Sequence, residues 1–252
     1  MENANEQTFQ GNESLEHLVK ERTAELEATN SQLEAFNTMV SHDLQAPLRT
    51  IVGFSKILLS ESKEQLSKQT VEYLEIIDKN ARRMNALVKD LLAFSKLGKA
   101  EVTRTPVDMN LMVEQVLTEL MPNEENSKAI VMLHNLAPAL CDASLIRQVW
   151  VNLIENAFKY SSKKENPVIG IGMIEVNGEQ VYFVKDNGAG FDMQYADRLF
   201  VMFQRIDDRQ EFEGSGIGLA TVNRIVTKHG GCIWAEAKLN EGATFYFTLV
   251  KS

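Results

Sequence analysis

The chain has 252 residues, room for one large domain or two of ordinary size, and its 44% hydrophobic and 24% charged content is that of an ordinary globular protein. No apolar run is long enough to cross a bilayer, no signal peptide opens the sequence, and its only two cysteines, Cys141 and Cys232, have no CxxC partner; free thiols in a reducing, cytoplasmic setting are expected, and a metal site built on cysteine is not. The net charge of −9 argues against a nucleic-acid binder, whose affinity rests on neutralising many phosphates, but not against binding one nucleotide.

Residues 12 to 96 contain no alternating strand-like run. Val19, Leu26, Leu33 and Val40 recur every seven residues, with Leu15, Arg22, Thr29 and Phe36 as a weaker companion seam. That period predicts a parallel dimeric coiled coil. In its register His42, within "SHDLQAPLRT" (41 to 50), takes a c position facing water. Pro47 then removes a backbone donor and is expected to bend the helix. The polar stretch 60 to 68 reads as a loop, and a second helix follows. It has Leu74, Ala81 and Val88 on one seam and Ile77, Met84 and Leu91 on the other. A two-helix hairpin is too thin to bury both faces; a second copy would complete a four-helix bundle.

The pattern changes after Gly98, with a boundary near 97 to 105. "TPVDMN" predicts a short strand leading into a helix from Asn110 to Leu120, and "AIVML" (129 to 133) a further strand. Residues 143 to 160 form a helix, and "VIGIGMIEVNGEQVYFVKD" a hairpin turning at Asn177-Gly178. A helix from Ile217 to Lys228 precedes strands at 231 to 237 and 243 to 250. Helices on one face of such a sheet make a two-layer α/β sandwich.

Three clusters in this half could carry chemistry. In "NLIENAFKYS" (152 to 161), Asn152, Asn156 and Lys159 share one helix face. Such a face can offer amide oxygens to a hard cation and an ammonium to phosphate, or be no more than a solvated surface. In "DNGAGF" (186 to 191), Asp186 ends a strand, and Gly188 and Gly190 permit close approach to a flat ligand; a plain turn would use the same residues. In "GSGIGLA" (214 to 220), glycines run into a helix start, where backbone N–H groups favour phosphate. The Lys-Ser/Thr ending of a P-loop is absent, and no strand precedes the cluster.

The order His-Asp-Pro, Asn-rich helix, DNGAG turn, GSGIG helix start resembles the sensor histidine kinases, over essentially residues 15 to 250 and close to their phytochrome-type branch. The resemblance implies an α plus α/β chain of three parts: a coiled-coil linker from a missing sensor (1 to 35), a dimerisation and histidine-phosphotransfer hairpin (36 to 97), and a Bergerat (GHKL) ATP-binding domain (98 to 252). "SHDLQAPLR" matches the family's H box, making His42 the phospho-acceptor and Asp43 its acidic neighbour. Neutral imidazole is a competent nucleophile near pH 7. By the same resemblance Asn156 holds Mg²⁺, Asn152 supports the phosphates, and Lys159 and Tyr160 contact phosphate or close over the nucleotide. Asp186 reads the adenine amino group, with Gly188 and Gly190 in the same wall. In "LFVMFQR" (199 to 205), Phe200 and Phe203 pack the base of a lid spanning 206 to 213, and Arg205 points to the γ-phosphate. Gly214, Gly216 and Gly218 form the lid's hinge and phosphate contact, and Glu155 lies near the metal.

The implied activity is ATP-dependent phosphorylation of His42 by a homodimer, with onward transfer to an aspartate of a response regulator docking near Leu48, Ile51 and Phe54. A parent protein could still be membrane-bound through its sensor. One departure stands out: many family members carry Thr or Asn four residues after the histidine to hold a water for dephosphorylating the partner, and this chain has Ala46. Two other readings stay open, an ATPase that hydrolyses ATP with Glu155 as base, and a dimerisation module without catalysis.

Overall fold

The computed structural model describes residues 17, 19–23, 25, 29, 39–40, 43–60, 66–98, 101–122, 126–204, 212 and 215–249. The chain divides into two compact units, Met1–Gly98 and Lys99–Ser252.

Every described residue of the first unit from 17 to 60 is helical; the stretch 43–60 is α1, and α2 spans Lys68–Leu97. The helix is continuous across Pro47. α2 starts where Ser67 caps it, its side chain accepting from the Thr70 N–H. Ala81, Val88 and Ser95 are buried at seven-residue intervals, as is Leu48 on α1. The companion α2 positions Ile77 and Met84 remain about half exposed (47% and 49%), together with Leu44, Ile51, Phe54 and Leu58 on α1. Each helix therefore has two apolar stripes, and one of them faces outward. The coiled-coil positions Leu15, Leu26, Leu33 and Phe36 lie outside the described residues; Val19 is helical and exposed.

The second unit is the expected α/β sandwich. Its elements are β1 (Thr105–Val107), α3 (Met109–Leu120), β2 (Ile130–Leu133), β3 (Ala139–Cys141), α4 (Ala143–Ser161), β4 (Val168–Val176) and β5 (Glu179–Asp186). A 3-10 turn (Met193–Arg198), α5 (Gly218–Lys228), β6 (Ile233–Lys238) and β7 (Gly242–Thr248) follow. Five strands form one sheet in the order β2-β4-β5-β7-β6, while β1 and β3 pair separately. All neighbours in the large sheet are antiparallel except β2 and β4, which run parallel, so the sheet is mixed rather than made only of hairpins. The β4–β5 turn has both central residues at positive φ, Asn177 at 52° and Gly178 at 78°, the geometry that matches the twist of the flanking strands.

Aspartates set the helix starts: Asp108 accepts from the Leu111 N–H, and Asp142 from the N–H groups of Ser144 and Leu145. Alternation along the strands then divides the sheet. Tyr182, Val184 and Asp186 fall on the inner face with Ile169, Ile171, Phe245 and Phe247, whereas Phe183 and Lys185 fall on the other. The helices cover the inner face with Val113, Ile146, Val149, Leu153, Val222 and Ile225, each fully buried. At the centre, Trp150 packs edge-on against Tyr182 (6.0 Å) and Phe247 (5.1 Å).

Candidate functional site

Asp186 is the last residue of an otherwise apolar inner-face row, which explains why a carboxylate is only 4% exposed. Its Oδ1 accepts the Gly188 N–H at 2.8 Å. Burial pushes the carboxyl up to about 6, against hydrogen bonds from the Gly188 and Ala243 N–H groups and the charge of Lys164, which all pull it down. The turn after Asp186 is close to α4. The Ala189 N–H donates to the Tyr160 carbonyl (3.0 Å), and a Cβ on Gly188 would lie 2.4 Å from that oxygen. Gly190 has φ +58°, and a Cβ there would lie 2.0 Å from the Lys238 carbonyl, so only glycine fits. Asn187 fixes the turn from the other side, accepting from the Val168 N–H and donating to the Asn166 carbonyl.

The polar face of α4 meets the start of α5. Asn152 commits its amide N–H to the Gln148 carbonyl (2.8 Å), and its Oδ1 lies 2.6 Å from where a Cβ on Gly218 would sit. Asn156, one turn later on the same face, is half-buried. α5 begins at Gly218 with Ile217 as its N-cap and no side-chain cap, which leaves its first N–H groups for another acceptor. Gly216 at φ +71° carries the chain into that start, its carbonyl accepting from the Phe203 N–H. Past Asn156, the Lys159 ammonium sits 4.3 Å over the Tyr160 ring. Asn152, Asn156, Lys159, Tyr160, Asp186, Gly188, Gly190, Gly216 and Gly218 thus belong to the adjoining ends of α4, β5 and α5.

His42, Arg205 and Gly214 lie outside the described residues, as do 206–211 and 213 of the expected lid. Asp43 is an exposed residue of α1. Phe203 is 60% exposed, with its backbone at φ +60° donating its N–H to the Gly216 carbonyl; most of the lid it is expected to pack lies outside the described residues. Phe200 is half-buried. Phe212, which falls in the expected lid with no role of its own, is instead buried with its ring 5.1 Å from Tyr160 and beneath the Lys163 ammonium. The sequence also gives no sign of Lys164, whose ammonium donates to the Asn240 carbonyl at 2.7 Å across 76 residues. No local pattern announces a contact of that range.

A strand-end carboxylate facing a glycine turn, beside an amide-bearing helix and an uncapped glycine helix start, defines a nucleotide-site class of two-layer ATPase domain. Residues 141–252 match the family described as histidine kinase-, DNA gyrase B-, and HSP90-like ATPase, and residues 32–100 match the His Kinase A (phospho-acceptor) domain. The chain belongs to the sensor histidine kinases. It is 34% identical over 225 residues to cyanobacterial phytochrome A of Nostoc sp., which covers 89% of this chain and 29% of the relative. It is 33% identical over 232 residues to the methanogenesis regulatory histidine kinase FilI of Methanothrix harundinacea, covering 92% of this chain and 26% of that protein. The chain therefore spans under a third of the length of these relatives. Among solved structures, full-length ShkA in complex with AMPPNP is similar with a TM-score of 0.63 at 25% identity, covering 86% of this chain and 47% of that one. No helix among the described residues is long and apolar enough to cross a membrane.

Proposed function

We propose that this chain is the kinase core of a two-component sensor. It binds ATP at the junction of α4, β5 and α5, transfers the γ-phosphoryl group to His42, and passes it to an aspartate of a response regulator. The observation that carries the reading is the buried carboxylate of Asp186 beside a glycine turn that a single added carbon would close. A carboxylate held there accepts from the adenine amino group, and the glycines admit the flat ring. Asn152, Lys159 and the first N–H groups of α5 lie on the phosphate side, where positioning and charge neutralisation do most of the work of phosphoryl transfer.

Asn156 is the residue to hold Mg²⁺, which supplies charge neutralisation on the phosphates when bound. An amide oxygen suits a hard cation, and the described residues contain no cluster of three His, Cys, Asp or Glu. That fits an ion shared with substrate phosphates better than an all-protein cage. In the transfer, an imidazole nitrogen of His42 forms a bond to the γ-phosphorus as the bond from phosphorus to the β–γ bridging oxygen breaks, releasing ADP. Asp43 orients the ring, and Arg205 meets the γ-phosphate. The outward apolar positions of α2 (Ile77, Met84) are covered in a homodimer as a four-helix bundle, which leaves the exposed Ile51 and Phe54 of α1 for the response regulator.

Incubation of the dimer with γ-labelled ATP tests this. Acid-labile, alkali-stable label on the wild type and none on His42→Ala is expected. Label surviving in the variant removes the acceptor assignment, and release of free phosphate without labelled protein favours an ATPase instead.

A further inference from the structure

The β6–β7 turn does more than connect two strands. Its Asn240 sits at φ +63° and donates its N–H to the Ala189 carbonyl at 2.7 Å. The Lys238 carbonyl occupies the place of a side chain on Gly190, and Gly242, at φ +112°, is pressed against the Asp186 carbonyl, 2.0 Å from where its Cβ would be. This turn is the outer support of the glycine wall next to Asp186. Lys164 reaches it from just past the end of α4, donating to the Asn240 carbonyl.

The three lysines in this stretch are placed differently. Lys159 lies over Tyr160 and Lys163 over Phe212, whereas Lys164 turns to the adenine side of the site. Among the described residues Lys164 is the charged side chain whose field acts on Asp186; its other partners are the Gly188 and Ala243 N–H groups.

The geometry points to Lys164 as a positioning residue for base selection: its ammonium clamps the β6–β7 turn against the glycine wall and keeps Asp186 in the ionised form that accepts a hydrogen bond from adenine. The inference rests on Asp186 as the adenine-reading group. The chemistry behind it is a choice between two protonation states. An ionised carboxylate only accepts, so it pairs with the amino group of adenine and repels the carbonyl of hypoxanthine. A protonated carboxyl can donate, and hypoxanthine then becomes acceptable. Burial disfavours the charge on Asp186, and the Lys164 charge adds to the Gly188 and Ala243 hydrogen bonds that hold the carboxylate ionised.

Equilibrium binding of ATP and inosine triphosphate, measured from pH 6 to 8, separates the clamp from the charge. Lys164→Gln keeps an N–H donor for Asn240 and removes the charge, Lys164→Met removes both, and Lys164→Arg keeps both. Both neutral variants are expected to bind ATP ~2-fold more weakly at pH 6, the effect fading toward pH 8, and to lose a similar factor of discrimination against inosine triphosphate, with Lys164→Met weaker than Lys164→Gln for both nucleotides because it also frees the turn. The pH at which ATP binding falls should move upward in both, and Lys164→Arg should restore the wild-type profile. Equal weakening of both nucleotides, or a Gln variant that matches wild type, overturns the electrostatic role. A wild type that binds no ATP overturns the site assignment itself, a result distinct from intact ATP binding with unchanged discrimination in the variants.

Discussion

The carbonyl oxygen of Tyr160 lies 2.4 Å from the point where a side chain on Gly188 would begin. The last turn of α4 and the turn after β5 therefore meet backbone to backbone, sealed by the hydrogen bond from Ala189 to that same oxygen. In the proposed site, one contact would join the phosphate side, on α4, to the base side, on β5.

Gly188→Ala should separate these two sides. The added methyl meets main chain rather than a flexible side-chain end, so the turn must shift. A cost of about 1–3 kcal/mol in stability is expected, with ATP affinity falling at least ~10-fold because the wall moves by a sizeable part of an ångström. Denaturant unfolding and nucleotide titration measure the two effects. Unchanged affinity would mean the turn moves without disturbing the site.

Asp186 sets a pH dependence of defined sign. Its carboxyl titrates at about 6 in the fold, against an ordinary value of 3.8. Folding therefore takes up a proton between those values, and stability falls as pH rises through that window, by about 3 kcal/mol at full extent. Ligand binding runs the other way. ATP should bind tightly above pH 6 and weakly below it, while the empty protein gains stability on acidification. Asp186→Asn should flatten both profiles; a variant that keeps the wild-type midpoint would assign the titration to another group.

Phe203 is a bulky residue at φ +60° that is 60% exposed. The backbone carries a strain of about 1 kcal/mol with little packing in return. Phe203→Gly or Phe203→Asn should leave thermal stability unchanged or raise it slightly, and the β-branched Phe203→Val should lower it. A large loss in the Gly variant would mean that the ring packs in solution.

Ala46 is an exposed α1 residue whose carbonyl accepts from the Thr50 hydroxyl. It offers no side-chain polar atom to hold a water near a docked phospho-aspartate. Dephosphorylation of a labelled regulator by the wild type is expected to be slow, and Ala46→Thr should accelerate it several-fold while leaving His42 labelling intact. Rapid loss of label with the wild type would contradict this.

Much of the second unit was legible because its signals are local. Asn177-Gly178 dictates its own turn, Asp108 and Asp142 cap the helices that begin immediately after them, and the alternation from Tyr182 to Asp186 selects the buried face. β3 was not legible: three residues after Pro138 have no period, and the strand exists because it pairs with β1 through Val107 and Ala139. The support behind the glycine turn after Asp186 was equally hidden. Gly242 and Asn240 read as ordinary hairpin residues until the fold brings them against Asp186 and Ala189. Phe203 was placed at the lid base by resemblance alone, and no local signal announced its left-handed backbone. On the hairpin, the heptads identified both stripes of α2 without telling which one the chain covers by itself.

Both tryptophans of the protein, Trp150 and Trp234, belong to the Lys99–Ser252 unit, one fully buried under the sheet and the other stacked on Tyr246 at 36% exposure. Tryptophan emission, excited selectively so that Tyr73 of the helical unit does not contribute, therefore reports on that unit alone. Far-ultraviolet circular dichroism also records the 30-residue α2 and the rest of the helical unit. A single melt followed by both probes is consequently a direct assay of cooperativity. Coincident transitions would mark one all-or-none molecule, and an ellipticity change without an emission change would mark a hairpin that unravels while its neighbour stays folded.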